Sequence, residues 1–270
     1  MATKIGCIGG GNIVRAMLSG VDAGDKGFSP SEVGIFDINQ HVLDAYAAKG
    51  YQTYASITEL VQNSRIVLVA VLPQVIRSIT PELRDARVAG NVFLSVPPGI
   101  TTGWFEENLG ADVKSVQCTP TLTAQVGMGA YSIDASKNLA PEDYAEVRAF
   151  LESSGIVEDI PGDKMAEVTP IAGCAPAYFY HMADVVVREA VAMGLDEKAS
   201  LNLFAQTMKG SAEMLLNIGD ETPKDLEKKL LLPGAATLMA INKMVELGFD
   251  EAITEGIKAA VAQCAVLGKQ

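Results

Sequence analysis

The chain is short of cationic residues, histidine, cysteine and aromatics. Lys and Arg number 21 against 33 Asp and Glu, a formal net charge of −12. A nucleic-acid surface or an acidic-lipid patch needs clustered Lys and Arg, so this balance speaks against both and for a solubilising surface charge. The two histidines, His41 and His181, lie far apart, and the four cysteines (Cys7, Cys118, Cys174, Cys264) contain no C-x-x-C pair. That inventory offers neither a zinc site nor a disulfide framework, so no metal is expected. It fits a reducing compartment in which each thiol is a small buried apolar group. The longest apolar runs, such as Ile66–Leu72, have strand length and cannot span a bilayer. No basic n-region followed by a long apolar stretch opens the chain, so a cytoplasmic location is expected.

What is present is ordinary for a globular protein: 270 residues, 49% apolar and 20% charged, enough for one large domain or two ordinary ones. The first half alternates short apolar runs with helical patterns. Lys4–Ile8, Glu32–Asp37, Arg65–Leu72, Asn91–Val96 and Val113–Gln117 read as strands. Asn12–Ala23 and Val42–Lys49 read as helices, the second stopped by Gly50. Strands separated by helices predict a mostly parallel sheet covered on both faces. After Pro141 the texture changes. Tyr144–Glu152 reads as a helix, Gly155–Ile160 as a last strand, and nothing beyond Pro161 reads as a strand. Residues 178–195 and 201–216 carry apolar side chains at helical spacing, and two further helices follow Pro233, the last ending near Leu267 and Gly268. The expected organisation is a Rossmann-type α/β domain over residues 1–160 and an all-helical domain over 161–270. Helices apolar on more than one side point to a dimer interface in the second.

The strongest local signal is Gly9-Gly10-Gly11-Asn12-Ile13 between the first strand and the first helix. Gly9 permits a tight turn, and Gly11 lets the backbone approach a pyrophosphate at the N–H-rich helix start. Val14 stands where the third fingerprint glycine would be, and a G-x-G alone also fits a structural turn. Its place at the head of a βαβ unit favours the dinucleotide. Asp37, ending the second strand, suits a ribose hydroxyl and repels a 2′-phosphate, which favours NAD over NADP; it also fits a cap on the next helix. The third and fourth strands end in Val71-Leu72-Pro73-Gln74 and Val96-Pro97-Pro98-Gly99, at the sheet edge where ligands bind in this architecture.

These residues resemble the pyrroline-5-carboxylate reductase family across essentially the whole chain. Residues 9–14 resemble its GGGNMA, Ala70–Gln74 its AVKPQ, Ser95–Ile100 its SxAAGI, and Gln125–Gly129 its xVGxG. In the second half, Ala172–Tyr178 resembles SGSGPAY, Gln206–Leu215 resembles QTxxGAAxML, and Leu232–Thr237 resembles SPGGTT. The resemblance implies reduction of a cyclic imine acid, 1-pyrroline-5-carboxylate, to proline by hydride transfer from NAD or NADP. It also implies a homodimer through the helical domain, and in some members a ring of dimers. Cofactor contacts then fall on Gly9, Gly11, Asn12, Ile13, Asp37, Val71, Leu72, Pro73, Gln74, Pro97 and Pro120.

Proline followed by small residues marks a helix start, so Gly234, Ala235, Ala236 and Thr237 are candidates to hold the substrate carboxylate, with Cys174 beside the substrate. By the resemblance Asp220 faces the ring nitrogen, where a carboxylate stabilises a cationic iminium. Asp220 and Thr237 are thus the candidate catalytic residues. Asp220 also fits a cap on the turn Gly219–Pro223, Thr237 a plain helix start, and Tyr178 an interface aromatic. The departures from the family fall near the chemistry: Leu72 for Lys; Gln117, Thr121, Leu122 and Thr123 for Arg, Asn, Thr and Pro; Ala172, Cys174 and Leu232 for serines. They leave open an altered substrate, or a nucleotide-binding relative with weak or lost catalysis. A hydroxy-acid dehydrogenase of similar plan needs a lysine on the long helix of the second domain, and 179–187 contains none.

Overall fold

The computed structural model describes residues 3–24 and 27–267. Gly268 of the expected last helix end lies outside them. Among the described residues two compact units separate, one of 3–24 and 27–174 with 260–267, the other of 175–259.

In the first unit, β1 (Thr3–Ile8) leads to α1 (Asn12–Met17) and α2 (Ser19–Ala23), one expected helix broken at Leu18. Then come β2 (Val33–Phe36), α3 (Gln40–Ala47), β3 (Gln52–Thr53), α4 (Ile57–Asn63), β4 (Ser64–Val69) and α5 (Pro73–Ala86). They are followed by β5 (Val92–Ser95), α6 (Thr102–Leu109), β6 (Lys114–Thr119), β7 (Gly129–Ala135), α7 (Pro141–Glu152), β8 (Gly155–Asp159) and α8 (Met165–Ile171). The strands form one sheet in the order β3-β2-β1-β4-β5-β6-β7-β8. All neighbours are parallel except β6 and β7, which run antiparallel. Their connection, 120–128, is too short for a crossover helix and folds instead into a 3-10 turn over Leu122–Val126.

The central strands are buried on both faces, as continuous apolar runs require. Ile5, Cys7, Ile35, Leu68, Leu94 and Val116 pack on one face with α1, α2 and α7. Ile8, Val67, Val69 and Phe93 pack on the other with α4, α5 and α6. Each such large side chain contributes on the order of 2 kcal/mol. Helix starts are capped locally: Asn39 accepts from His41 N, Ser56 from Glu59 N, and Thr101 from Trp104 N. The expected boundary near 160 is not where the units part. Residues 161–174 stay with the first unit because α8 packs on β6 and β7.

The second unit contains α9 (Ala175–Ala192), α10 (Glu197–Leu216), α11 (Pro223–Lys228), α12 (Ala236–Glu246) and the first part of α13 (Phe249–Leu267). Ala183, Val187 and Ala190 form the buried stripe of α9, which packs on α10. Phe179, Tyr180, Met182, Met193, Leu201 and Leu203 remain exposed in the single chain. Among the described residues no helix is long and apolar enough to cross a membrane, and no group of His, Cys, Asp and Glu has the arrangement of a metal site.

At the end of the sheet opposite the glycine-rich turn, Asp143 is 1% exposed and pairs with Arg65 and with Lys114, the latter at 2.6 Å. Removing its charge leaves two cations facing each other. Asp143→Asn is expected to lower stability by roughly 2 kcal/mol, reduced from the fully buried case because both cations reach solvent. Chemical denaturation measures this, and an unchanged midpoint would show that solvent already screens the cluster.

Candidate nucleotide site

β1 ends at Ile8, and the chain must turn at once to start α1. Gly9 does so at φ +95°, its N–H donating to Phe36 O at 2.8 Å. A Cβ there would lie 2.8 Å from Ala70 O, so glycine is required twice, by conformation and by space. Gly10 is closed in by Val42 and Tyr46, and its N–H donates to Asp37 Oδ2 at 2.8 Å. At Gly11 the situation reverses, because a Cβ would meet no protein atom within 4 Å. The first helical N–H groups, from Asn12 on, have no partner within the helix, as at any helix start. Val14 is fully buried in the core, so close packing of α1 on the sheet is met by a side chain.

A cavity of about 1080 Å³ opens from this turn along the carboxyl edge of the sheet, lined by residues of the first unit. At one end are Phe36, the last residue of β2, and Asp37 and Ile38 after it. Val71, Leu72, Pro73 and Val75 follow β4, and Val96 and Pro97 follow β5. Gln117, Thr119 and Pro120 lie at the end of β6, with Met165, Thr169 and Cys174 beyond. Gln263 and Cys264 of α13 complete the lining. Among the described residues lining it, Asp37 is the only charged side chain. Strand order reverses between β1 and β4, the place where a dinucleotide lies across such a sheet.

Of the expected cofactor residues, Gly9, Gly11, Ile13, Asp37, Val71, Leu72, Pro73, Pro97 and Pro120 come together here, with Cys174. Asn12 and Gln74 are exposed and do not line the cavity. Asp37 is not the cap of α3, a role taken by Asn39. Its Oδ1 accepts from Asn39 N at 2.9 Å while Oδ2 holds Gly10. Ile38 is 96% exposed and Leu72 69%, so apolar surface flanks the acid. Thr121 is buried, its hydroxyl accepting from Ala130 N at 2.8 Å and paired with Thr123 Oγ1 at 2.7 Å. That hydroxyl serves the loop. Local sequence pattern does not reveal Ile38, Val75, Met165, Thr169 or the 263–264 contribution; for Ile38 the position directly after Asp37 was the available signal.

Asp220 and 234–237 belong to the second unit. Asp220 is exposed, and Thr222, in a capping box with Asp225, caps α11 in its place. Gly234 takes φ +78°, while Ala235 precedes α12 at φ −72°. Ala235 cannot serve as an open donor, because its N–H donates to Leu232 O at 3.0 Å. The N–H groups of Ala236 and Thr237 follow at the helix start.

The strand order, the glycine turn and the lined edge define a dinucleotide-binding α/β protein of the Rossmann class with an appended helical unit. Comparison with known proteins adds the particulars. Residues 4–99 match the NADP oxidoreductase, coenzyme F420-dependent family, and residues 162–267 match the pyrroline-5-carboxylate reductase dimerisation family. A pyrroline-5-carboxylate reductase of Mycobacterium tuberculosis is 30% identical, with 95% of this chain and 94% of that protein covered. One from Methanosarcina acetivorans is 28% identical over 99% and 98%. The crystal structure of Plasmodium falciparum pyrroline carboxylate reductase with NADP bound superposes with a TM-score of 0.88 at 25% identity, covering 98% of each chain. The chain belongs to the pyrroline-5-carboxylate reductase family, whose members are NAD(P)-dependent oxidoreductases.

The glycine geometry predicts two different failures. Gly9→Ala is expected to cost about 1–2 kcal/mol of stability from its backbone conformation alone. Gly11→Val is expected to change stability by no more than about 1 kcal/mol, the scale of an N-cap change, yet to abolish dinucleotide binding. Thermal melts with calorimetric titration of NADH separate the two; normal binding by Gly11→Val would place the pyrophosphate elsewhere.

Proposed function

We propose that this protein reduces 1-pyrroline-5-carboxylate to proline, with the dinucleotide held along the cavity of the first unit. The observation that carries the reading is the open face of Gly11 at the strand-order reversal, in a chain of this family. A reduced nicotinamide held along this cavity would supply the hydride for the imine carbon of a substrate whose ring nitrogen carries a proton. The chain's own residues orient and exclude water. Apolar walls from Val71, Leu72, Pro97 and Pro120 keep the site dry, where alignment of the reactants supplies much of the rate.

The site residues fit the following roles. Gly9, Gly11 and the first N–H groups of α1 receive the pyrophosphate, and Asp37 accepts from the adenosine ribose with the lone pairs that Gly10 and Asn39 leave. Ala236 and Thr237 hold the substrate carboxylate with N–H groups at the start of α12, aided by the Thr237 hydroxyl. Asp220 stabilises the positive ring nitrogen. Thr237 orients and does not donate the proton, since an unactivated hydroxyl is a weak acid at neutral pH. A homodimer through the helical unit accounts for the large apolar side chains left exposed on α9 and α10, and larger rings built from dimers are compatible with it. Four free thiols accord with a cytoplasmic setting.

The cofactor is NADH rather than NADPH. A 2′-phosphate would meet the Asp37 carboxylate, and among the described residues lining the cavity there is no Lys, Arg or His to pair with it.

The deciding assay follows NADH oxidation with pyrroline-5-carboxylate at neutral pH, with NADPH in parallel. Turnover preferring NADH supports the reading, and absent turnover with intact binding rejects the substrate. Asp37→Ser should raise the ratio of NADPH to NADH affinity severalfold, and an unchanged ratio would turn Asp37 away from the ribose. Thr237→Ala should raise KM for pyrroline-5-carboxylate more than it weakens NADH, whereas an unaltered KM places the carboxylate elsewhere.

A further inference from the structure

Among the described residues lining the cavity, Gln117 carries a buried polar side-chain atom without a hydrogen-bond partner. Gln117 sits near the carboxyl end of β6. Its neighbours Val116 and Cys118 are buried in the core on one face of the sheet, so Gln117 projects from the other. It lines the cavity, yet its Oε1 is buried and accepts no hydrogen bond. Cross-strand residues on that face do not supply one. Ser95 on β5 donates its hydroxyl to Ile100 O at 3.0 Å, and Asp134 on β7 accepts from Thr102 Oγ1 at 3.3 Å. A buried acceptor without a partner is rare, because nothing compensates its lost hydration. The two ends of a carboxamide exchange by a half-turn of its last bond, so the group can offer the cavity either an acceptor or a donor.

We propose that Gln117 binds the carboxamide of the nicotinamide ring and thereby sets the ring's orientation for hydride transfer. The assignment rests on the dinucleotide reading above. Asp37 at the end of β2 marks the adenosine side of the strand-order reversal, and β6 lies on the opposite side, where the nicotinamide half must run. A neutral amide is the complement of a primary carboxamide, each giving one donor and one acceptor. A substrate carboxylate, by contrast, is held by cations or by N–H groups at a helix start.

The test compares three probes by calorimetry: NADH, its reduced 3-acetylpyridine analogue, in which the amide NH₂ is a methyl group, and ADP-ribose, which lacks the ring. The unaltered protein should bind NADH about tenfold more tightly than the acetyl analogue, the scale of one hydrogen bond to a buried group. Gln117→Met, of similar length and without polar atoms, should bind both reduced dinucleotides alike and ADP-ribose as before. Equal affinities for NADH and the analogue in the unaltered protein overturn the proposal, and this comparison needs no variant to fold. So does an equal loss of ADP-ribose and NADH affinity in Gln117→Met, which marks a structural role. A raised KM for pyrroline-5-carboxylate with unchanged NADH affinity also overturns it and moves Gln117 to the substrate. Because the readouts are binding constants, they stand even where pyrroline-5-carboxylate proves not to be the substrate.

Discussion

Three chain segments meet within bonding distance where β1 becomes α1. Gly9 N–H reaches Phe36 O at the end of β2, and Ala70 N–H, just beyond β4, reaches Ile8 O. The Ala70 carbonyl in turn occupies the space a Cβ on Gly9 would need. This crowding holds the edges of β2, β1 and β4 level and leaves the start of α1 directed into the cavity. Asp37 belongs to the same knot, since its carboxylate holds Gly10. The carboxylate that follows β2 therefore shapes the glycine turn after β1 as well as its own turn into α3.

The cavity beyond the turn is apolar, with a single carboxylate and a few neutral polar groups among its described lining residues. In such surroundings each polar group counts for more, because little water competes for it. The departures from the family pattern look different in this light. Leu72 precedes α5 at the cavity rim and supplies apolar surface instead of charge. Thr121 uses its hydroxyl to close the loop between β6 and β7. Leu72 thus changes the surface at the cavity, while Thr121 serves the packing of its loop.

Much of the first unit was legible in the sequence. β1, β2, β4 and β5 each contain a short buried run, apolar apart from a glycine or serine, and that signal is local. The glycine turn was legible because conformation and close approach restrict the residue type. β7 was not. Gly129–Ala135 buries Tyr131 and Ile133 two residues apart, but Gly127 and Gly129 precede them and Ser132 and Asp134 break the apolar run. α5 was obscured by Pro81 within it, and α4 (Ile57–Asn63) and α6 (Thr102–Leu109) are so short that their apolar spacing, Ile57, Leu60 and Val61 in one and Phe105 and Leu109 in the other, spans little more than one turn.

The sequence by itself determined the Rossmann class, the turn at Gly9–Gly11, the acid ending β2 and a helical second half. Each follows from backbone preference or apolar spacing within a dozen residues. Only the tertiary structure decided that β7 runs antiparallel, that 161–174 stays with the first unit, and that residues 263–264 reach the cavity. It alone showed Asp37 bound to Gly10, the Ala235 N–H taken by Leu232, and the Gln117 Oε1 buried without a partner. A hydrogen bond is made with whatever lies within about 3 Å. For groups far apart in the chain, folding alone brings the partner to that distance.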